Sequence, residues 1–401
     1  MALISIALLL TSASAVVAQN VGRWSSTIRF PAVPVAAAPL PGTNGQILVW
    51  SAFNPTEFES GKGRTQTAIF NPATGGVTQR TVNNTRHDTF CPGISFDFNG
   101  NLMVTGGNDA SRSSIYSTQQ RAWISTPDMR TPRGYQTSVT LSDGRIFQIG
   151  GSWVVPEFRG NKHGEIWDGQ QWTSLPGARV DPILTADRGG NFRNDNHAML
   201  FGWSNGSAIS VGPSRAMVWY YTQGRGSFGA AGTRTGDGDA MCGVAAMYDA
   251  VAGKIHVASG SPDFENSEAT SNSFIVTIGA PGTTASIERT TNMAFRRIFA
   301  TSTILPDGQI FVVGGQSFGV PFSDNNAIMT PELWSPTTKT CTRMANHRVP
   351  RTYHSISVLM ADGRVFVGRG GLCGGCNTNH LDAEIFTPPY LLCSDGRTAA
   401  T

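Results

Sequence analysis

A tyrosine and a histidine stand side by side in Arg351-Thr352-Tyr353-His354-Ser355, and together they could bring a phenolate and an imidazole to one ion. Adjacent residues of a strand point to opposite faces, so both side chains reach a shared centre only at a strand end or a bend. Within a regular strand the same pair is a half-buried tyrosine beside a surface histidine. Cys91 and Tyr135 occupy comparable places in other copies of a unit that recurs along the chain. Cys373 and Cys376 enclose only Gly-Gly, a spacing that suits a tight local disulfide or one half of a zinc site. No second pair of similar spacing completes a zinc set, so the disulfide is the expectation. The spacing assigns no pairing to Cys341 or Cys393.

The recurring unit must position these residues. Asn99-Gly100-Asn101-Leu102-Met103-Val104-Thr105-Gly106-Gly107 and Asp143-Gly144-Arg145-Ile146-Phe147-Gln148-Ile149-Gly150-Gly151 are two versions of one phrase. Asp307-Gly308 to Gly314-Gly315 and Asp362-Gly363 to Gly370-Gly371 are two more, with looser copies at Gly45, Gly206 and Gly253. Each reads as a turn, an apolar strand too short for a helix, and glycines where the backbone bends or packs closely. The seven turn glycines lie 44 to 62 residues apart, with Trp123, Trp172 and Trp334 in between. That period is the spacing of kelch-type propeller blades of four strands. The expected fold is all-β, a seven-bladed propeller over residues 22–390 with almost no helix. A pair of β-sandwiches is the competing architecture, but it does not explain a phrase returning at a blade-sized period.

Composition suits a large globular chain: 401 residues, 40% hydrophobic and 14% charged, with 46 Gly. A net charge of +3, with basic residues dispersed, argues against nucleic acid or a membrane surface as partner, and the expectation is a monomer. Residues 1–18 carry an apolar run followed by small residues, the pattern of a secretory signal. Asn83-Asn84-Thr85 and Asn205-Gly206-Ser207 match glycosylation acceptors, which fits an extracellular protein.

Several ordered motifs carry a family resemblance. Phe90-Cys91-Pro92-Gly93, Arg133-Gly134-Tyr135-Gln136, Gly150-Gly151-Ser152-Trp153, Asp195-Asn196-His197, Asp239-Ala240-Met241-Cys242, Tyr353-His354-Ser355 and Gly371-Leu372-Cys373 all take part. In this order the chain resembles the secreted copper-radical oxidases of fungi, the galactose oxidase and glyoxal oxidase family. The resemblance runs from about residue 22 to the chain end.

That resemblance implies a site. Cys91 would be joined by a thioether to Tyr135, giving a Cys-Tyr radical cofactor. Tyr135, Tyr353 and His354 would ligate copper, Tyr353 would take the proton of the alcohol, and Trp153 would lie over the cross-linked ring. Oxidising an alcohol to an aldehyde removes two electrons and copper cycling between Cu(II) and Cu(I) accepts one, so a redox-active side chain must take the other. Imidazole and phenolate are reasonable Cu(II) ligands. Dioxygen would reoxidise the site and leave as hydrogen peroxide.

Phe58, Arg193 and Phe322 match residues that line the family's sugar pocket, where Arg193 could donate to sugar hydroxyls. Phe192 stands where the family has Tyr, Phe264-Glu265 replaces Tyr-Gln, and Ala300 replaces a His. These changes put galactose in doubt, leaving a galactoside or another primary alcohol as substrate. In the family a β-sandwich follows the propeller and supplies a second histidine ligand. Residues 391–401 read as the start of that sandwich, and no histidine here matches the ligand; His87, His197 and His380 read as structural hydrogen-bonding residues. The competing function is a non-catalytic propeller that binds carbohydrate or protein.

Overall fold

A computed structural model describes residues 20–236, 238–368 and 370–393. The expected signal, residues 1–18, and residues 394–401 of the expected sandwich start lie outside the described residues. The described chain forms seven antiparallel sheets, six of four strands and one of five, around a central channel. This is the expected seven-bladed propeller, and it replaces the sandwich pair. Among the described residues there is no α-helix, only short 3-10 turns. No helix among them is long and apolar enough to cross a membrane.

Each copy of the recurring phrase supplies the second strand of a blade, among them Ile47–Trp50, Leu102–Thr105, Ile146–Ile149 and Ile310–Gln316. These strands are apolar on both faces because each face meets a different neighbouring blade. Ile47 packs toward the last blade and Leu48 toward the second; Ile310 packs toward the fifth blade and Phe311 toward the seventh. Seven apolar clusters result, one between each pair of neighbouring blades. The core is therefore a ring, and its strand order leaves the loops free at the two ends of the channel.

The ring closes by sharing. Arg23–Trp24 and Ile28–Arg29 pair with Asp382–Thr387, so the outer edge of the last blade comes from the start of the propeller. Trp24 is buried against Phe386, with ring centroids 5.0 Å apart.

Three of the fully buried arginines tie loops to blades through ion pairs. Arg133 pairs with Glu165 at 3.2 Å, Arg297 with Glu332 at 2.9 Å and Arg351 with Glu384 at 2.8 Å. Pairs desolvated to this degree are costly to break, because the partner left behind is a buried charge. Each arginine lies two residues before a residue of the channel mouth: Tyr135, Phe299 or Tyr353.

Candidate metal centre

One backbone conformation recurs where the chain enters the innermost strand of a blade. Cys91, Tyr135, His197, Cys242, Phe299 and His354 all have positive φ, between 51° and 68°. Such conformations cost non-glycine residues on the order of 1–3 kcal/mol each, and they collect at functional sites. They are held in series: Tyr135 N–H donates to the Cys91 carbonyl (2.9 Å), His197 N–H to Tyr135 (3.1 Å) and Phe299 N–H to Cys242 (3.1 Å). The bend at His354, just before Ile356–Leu359, lets adjacent residues face one place. The Tyr353 and His354 rings lie 3.7 Å apart. Gly370 allows this, since a Cβ there would fall on the Tyr353 carbonyl and the His354 backbone.

The phenol oxygens of Tyr135 and Tyr353 meet at 3.0 Å, and both residues are buried. Cys91 packs into the same cluster as Tyr135, its Sγ 3.6 Å from His354 Nε2. His354 Nδ1 lies 3.0 Å from the Gly371 carbonyl, which accepts a proton only from a protonated nitrogen and so leaves Nε2 with its lone pair. Burial raises both phenols and the Cys91 thiol well above their ordinary pKa values, and it lowers His354 to about 4. The pocket thus holds two neutral phenols and a neutral imidazole, with no carboxylate among them. This donor set fits Cu(II): a dication would favour both phenolates and meet an available imidazole nitrogen.

Aromatic rings enclose the oxygens. Trp153 lies 5.0 Å from the Tyr135 ring at a 34° tilt, with Phe192 at 4.5 Å and Phe264 at 5.1 Å from Trp153. Phe322 meets Tyr353 edge-on at 5.1 Å and stacks on Phe58 at 5.8 Å. Below them a cavity of about 330 Å³ runs into the channel, lined by Cys91, Tyr135, His197 and His354 and by innermost-strand residues.

Comparisons with known proteins place the chain in a family. A solved structure of a fungal alcohol oxidase of the AA5 family, in complex with copper, is 42% identical and superposes with a TM-score of 0.91. It covers 95% of this chain and 79% of that one. The chain belongs to the galactose oxidase-like copper-radical oxidases. A galactose oxidase of Gibberella zeae is 50% identical over 388 residues, 95% of this chain and 57% of the relative. An aldehyde oxidase of Arabidopsis thaliana is 24% identical over 340 residues, and the glyoxal oxidase N-terminus family model matches residues 287–387. The chain thus spans little more than half the length of the curated oxidases it matches.

Within this copper-radical oxidase fold, Cys91, Tyr135, Trp153, Tyr353 and His354 come together, and Phe58, Phe192, Phe264 and Phe322 surround them. Cys373 and Cys376 are joined, their Cα atoms 5.6 Å apart. Arg193 is buried but engaged: Nε donates to Asp187 at 2.5 Å and one terminal nitrogen to Glu265 at 2.8 Å. His87 is structural, its ring nitrogens 2.9 Å from Ser114 Oγ and 2.8 Å from the Gly106 carbonyl, and His380 meets Asp324. His197 differs from the structural hydrogen-bonding residue expected of it. Its Nε2 is buried without a partner, and its ring stands edge-on to Tyr135 at 5.3 Å. Cys242 joins the same cluster and was missed by sequence reasoning.

Proposed function

We propose that the chain forms the propeller and most of the metal site of an exported oxidase that converts a primary alcohol to its aldehyde and reduces dioxygen to hydrogen peroxide. The reading rests on one observation, the meeting of the Tyr135 and Tyr353 hydroxyls at 3.0 Å beside Cys91 and His354 Nε2. In this reading Tyr135, Tyr353 and His354 hold copper, which together with a thioether of Cys91 and Tyr135 supplies the capacity to take two electrons. Tyr353 Oη accepts the hydroxyl proton of the alcohol. Trp153 and its phenylalanine neighbours keep water from the Tyr135 ring, and His354 keeps its orientation through Gly371.

The substrate rim is largely hydrocarbon. Phe192 and Phe264 carry no hydroxyl, and Arg193 already spends donors on Asp187 and Glu265. A guanidinium so engaged offers fewer hydrogen bonds to a sugar, and a site built on such bonds is sensitive to their loss. We therefore place free galactose behind galactosides and other primary alcohols. The test is peroxide release by the copper-loaded full-length protein from a panel of these alcohols. Release that is lost in both His354→Ala and Tyr353→Phe is the expected result; release unchanged by either would overturn the assignment.

A further inference from the structure

Trp153 rides on a turn whose consecutive carbonyls are all occupied by cationic side chains. Lys162 Nζ donates to the carbonyls of Gly151 (3.0 Å) and Val154 (2.8 Å). Arg159 donates to those of Ser152 (3.2 Å) and Trp153 (3.1 Å). From the other side, Asp195 accepts the Ser152 N–H at 2.8 Å and the Ser152 hydroxyl at 2.5 Å, and its own carbonyl receives the Gly151 N–H. The Arg159 guanidinium also lies 4.4 Å above the Phe192 ring, which packs on the outer side of the indole.

Lys162 is the unusual member. It is fully buried, and among the described residues its Nζ hydrogen-bonds those two carbonyls and no carboxylate; burial lowers its pKa to about 7, against the attraction of nearby Asp195. A buried ammonium without an ion pair is expensive, whereas an apolar side chain of similar length would fill the same space at less cost. What Nζ does in that place is hold both ends of the Gly151–Val154 turn at once. Glycine at 151 lets the turn press on its neighbour: a Cβ there, at φ +87°, would lie 2.6 Å from Gln136 N and from the Gly134 carbonyl, on either side of Tyr135.

We propose that Lys162, with Arg159, is a positioning residue of the oxidase site: it clamps the turn so that the indole of Trp153 stays against Tyr135. This rests on the alcohol oxidase reading for its consequence, though not for its geometry. The hydrogen bonds of both cations go to the carbonyls of the 151–154 turn and to neither the Tyr135 nor the Tyr353 oxygen, so the clamp acts on the site through that turn and the indole it carries.

A double-mutant cycle tests this in the full-length protein. In the copper-loaded form the optical band of the oxidised site should decay severalfold faster in Lys162→Met than in the parent, and Trp153→Phe should do the same. If the lysine acts through the indole, adding Lys162→Met to Trp153→Phe changes the decay no further. Equal acceleration in both backgrounds, or none in either, overturns the proposal. Arg159→Gln, which keeps Lys162, is carried through the same cycle in case the methionine variant does not fold, with the same outcomes expected. Amide exchange over residues 151–154 in the copper-free protein should rise in both variants, and unchanged protection would also overturn the clamp. If the parent shows no oxidised band at all, the oxidase reading fails, while the exchange result still decides the clamp.

Discussion

Tyr135 Oη and Tyr353 Oη lie 3.0 Å apart although 218 residues separate them in sequence. Each follows a buried, ion-paired arginine by two positions, Arg133 or Arg351, so each phenol is fixed to a different blade before the two meet. The contact therefore depends on the ring being closed.

Copper and oxygen should join Cys91 to Tyr135. Forming the carbon–sulfur bond removes the thiol hydrogen and one ring hydrogen, and the two electrons pass to Cu(II) and oxygen. Peptide mass mapping should find the joined pair lighter by two hydrogens, and Cys91 should resist alkylation after copper loading. Cys91 that remains fully alkylatable would refute the cross-link.

Glu265→Gln should favour sugars. Removing the carboxylate weakens the hold on Arg193 and restores an amide that can both donate and accept. The expected outcome is a higher kcat/KM for galactose relative to a non-sugar primary alcohol, by about tenfold if one charge-assisted hydrogen bond is regained. An unchanged ratio would show that Glu265 does not set the preference.

Trp24→Ala should destabilise the whole ring by about 3–5 kcal/mol, the usual cost of emptying a buried tryptophan site. Denaturant midpoints measure this. A loss within about 0.5 kcal/mol, the range typical of surface changes, would mean that the N-terminal strands do not hold the last blade.

Buried His256 should make stability depend on acid. Burial lowers its pKa to about 3, and its Nε2 hydrogen-bonds Ser273 at 2.8 Å. The unfolded imidazole takes a proton below about pH 6.5 while the folded one stays neutral to about 3. The unfolded state binds more protons across that window, so stability is full above pH 6.5 and falls as pH drops through it. The slope from one such group is about 1.4 kcal/mol per pH unit. Denaturation at pH 7 and pH 4.5 should show a smaller difference in His256→Gln than in the parent.

The blades were legible because their signal is local and repeated: turn, apolar strand, glycine pair. The meeting of Cys91, Tyr135, Tyr353 and His354 was legible through ordered motifs, since residues 91, 135 and 353 lie far apart in sequence. One signal went unread. Cys91, Tyr135, His197, Phe299 and His354 each stand nine positions ahead of the glycine that opens their repeat, namely Gly100, Gly144, Gly206, Gly308 and Gly363. That offset marks the ring of left-handed residues and would have placed His197 at the channel instead of among the structural histidines. The engagement of Arg193 by Asp187 and Glu265 was not legible, because it depends on how two loops fold over one another.

The last blade is stitched from both ends of the propeller, with Arg23–Trp24 and Ile28–Arg29 laid against Asp382–Thr387. A chain emerging from the ribosome makes its first strands long before their partner exists, and those strands must wait unpaired until Thr387 has been synthesised. The ring that carries Cys91, Tyr135, Tyr353 and His354 closes only then. In the oxidase reading proposed above, the ion would therefore find its full set of ligands only after the last strand has been made.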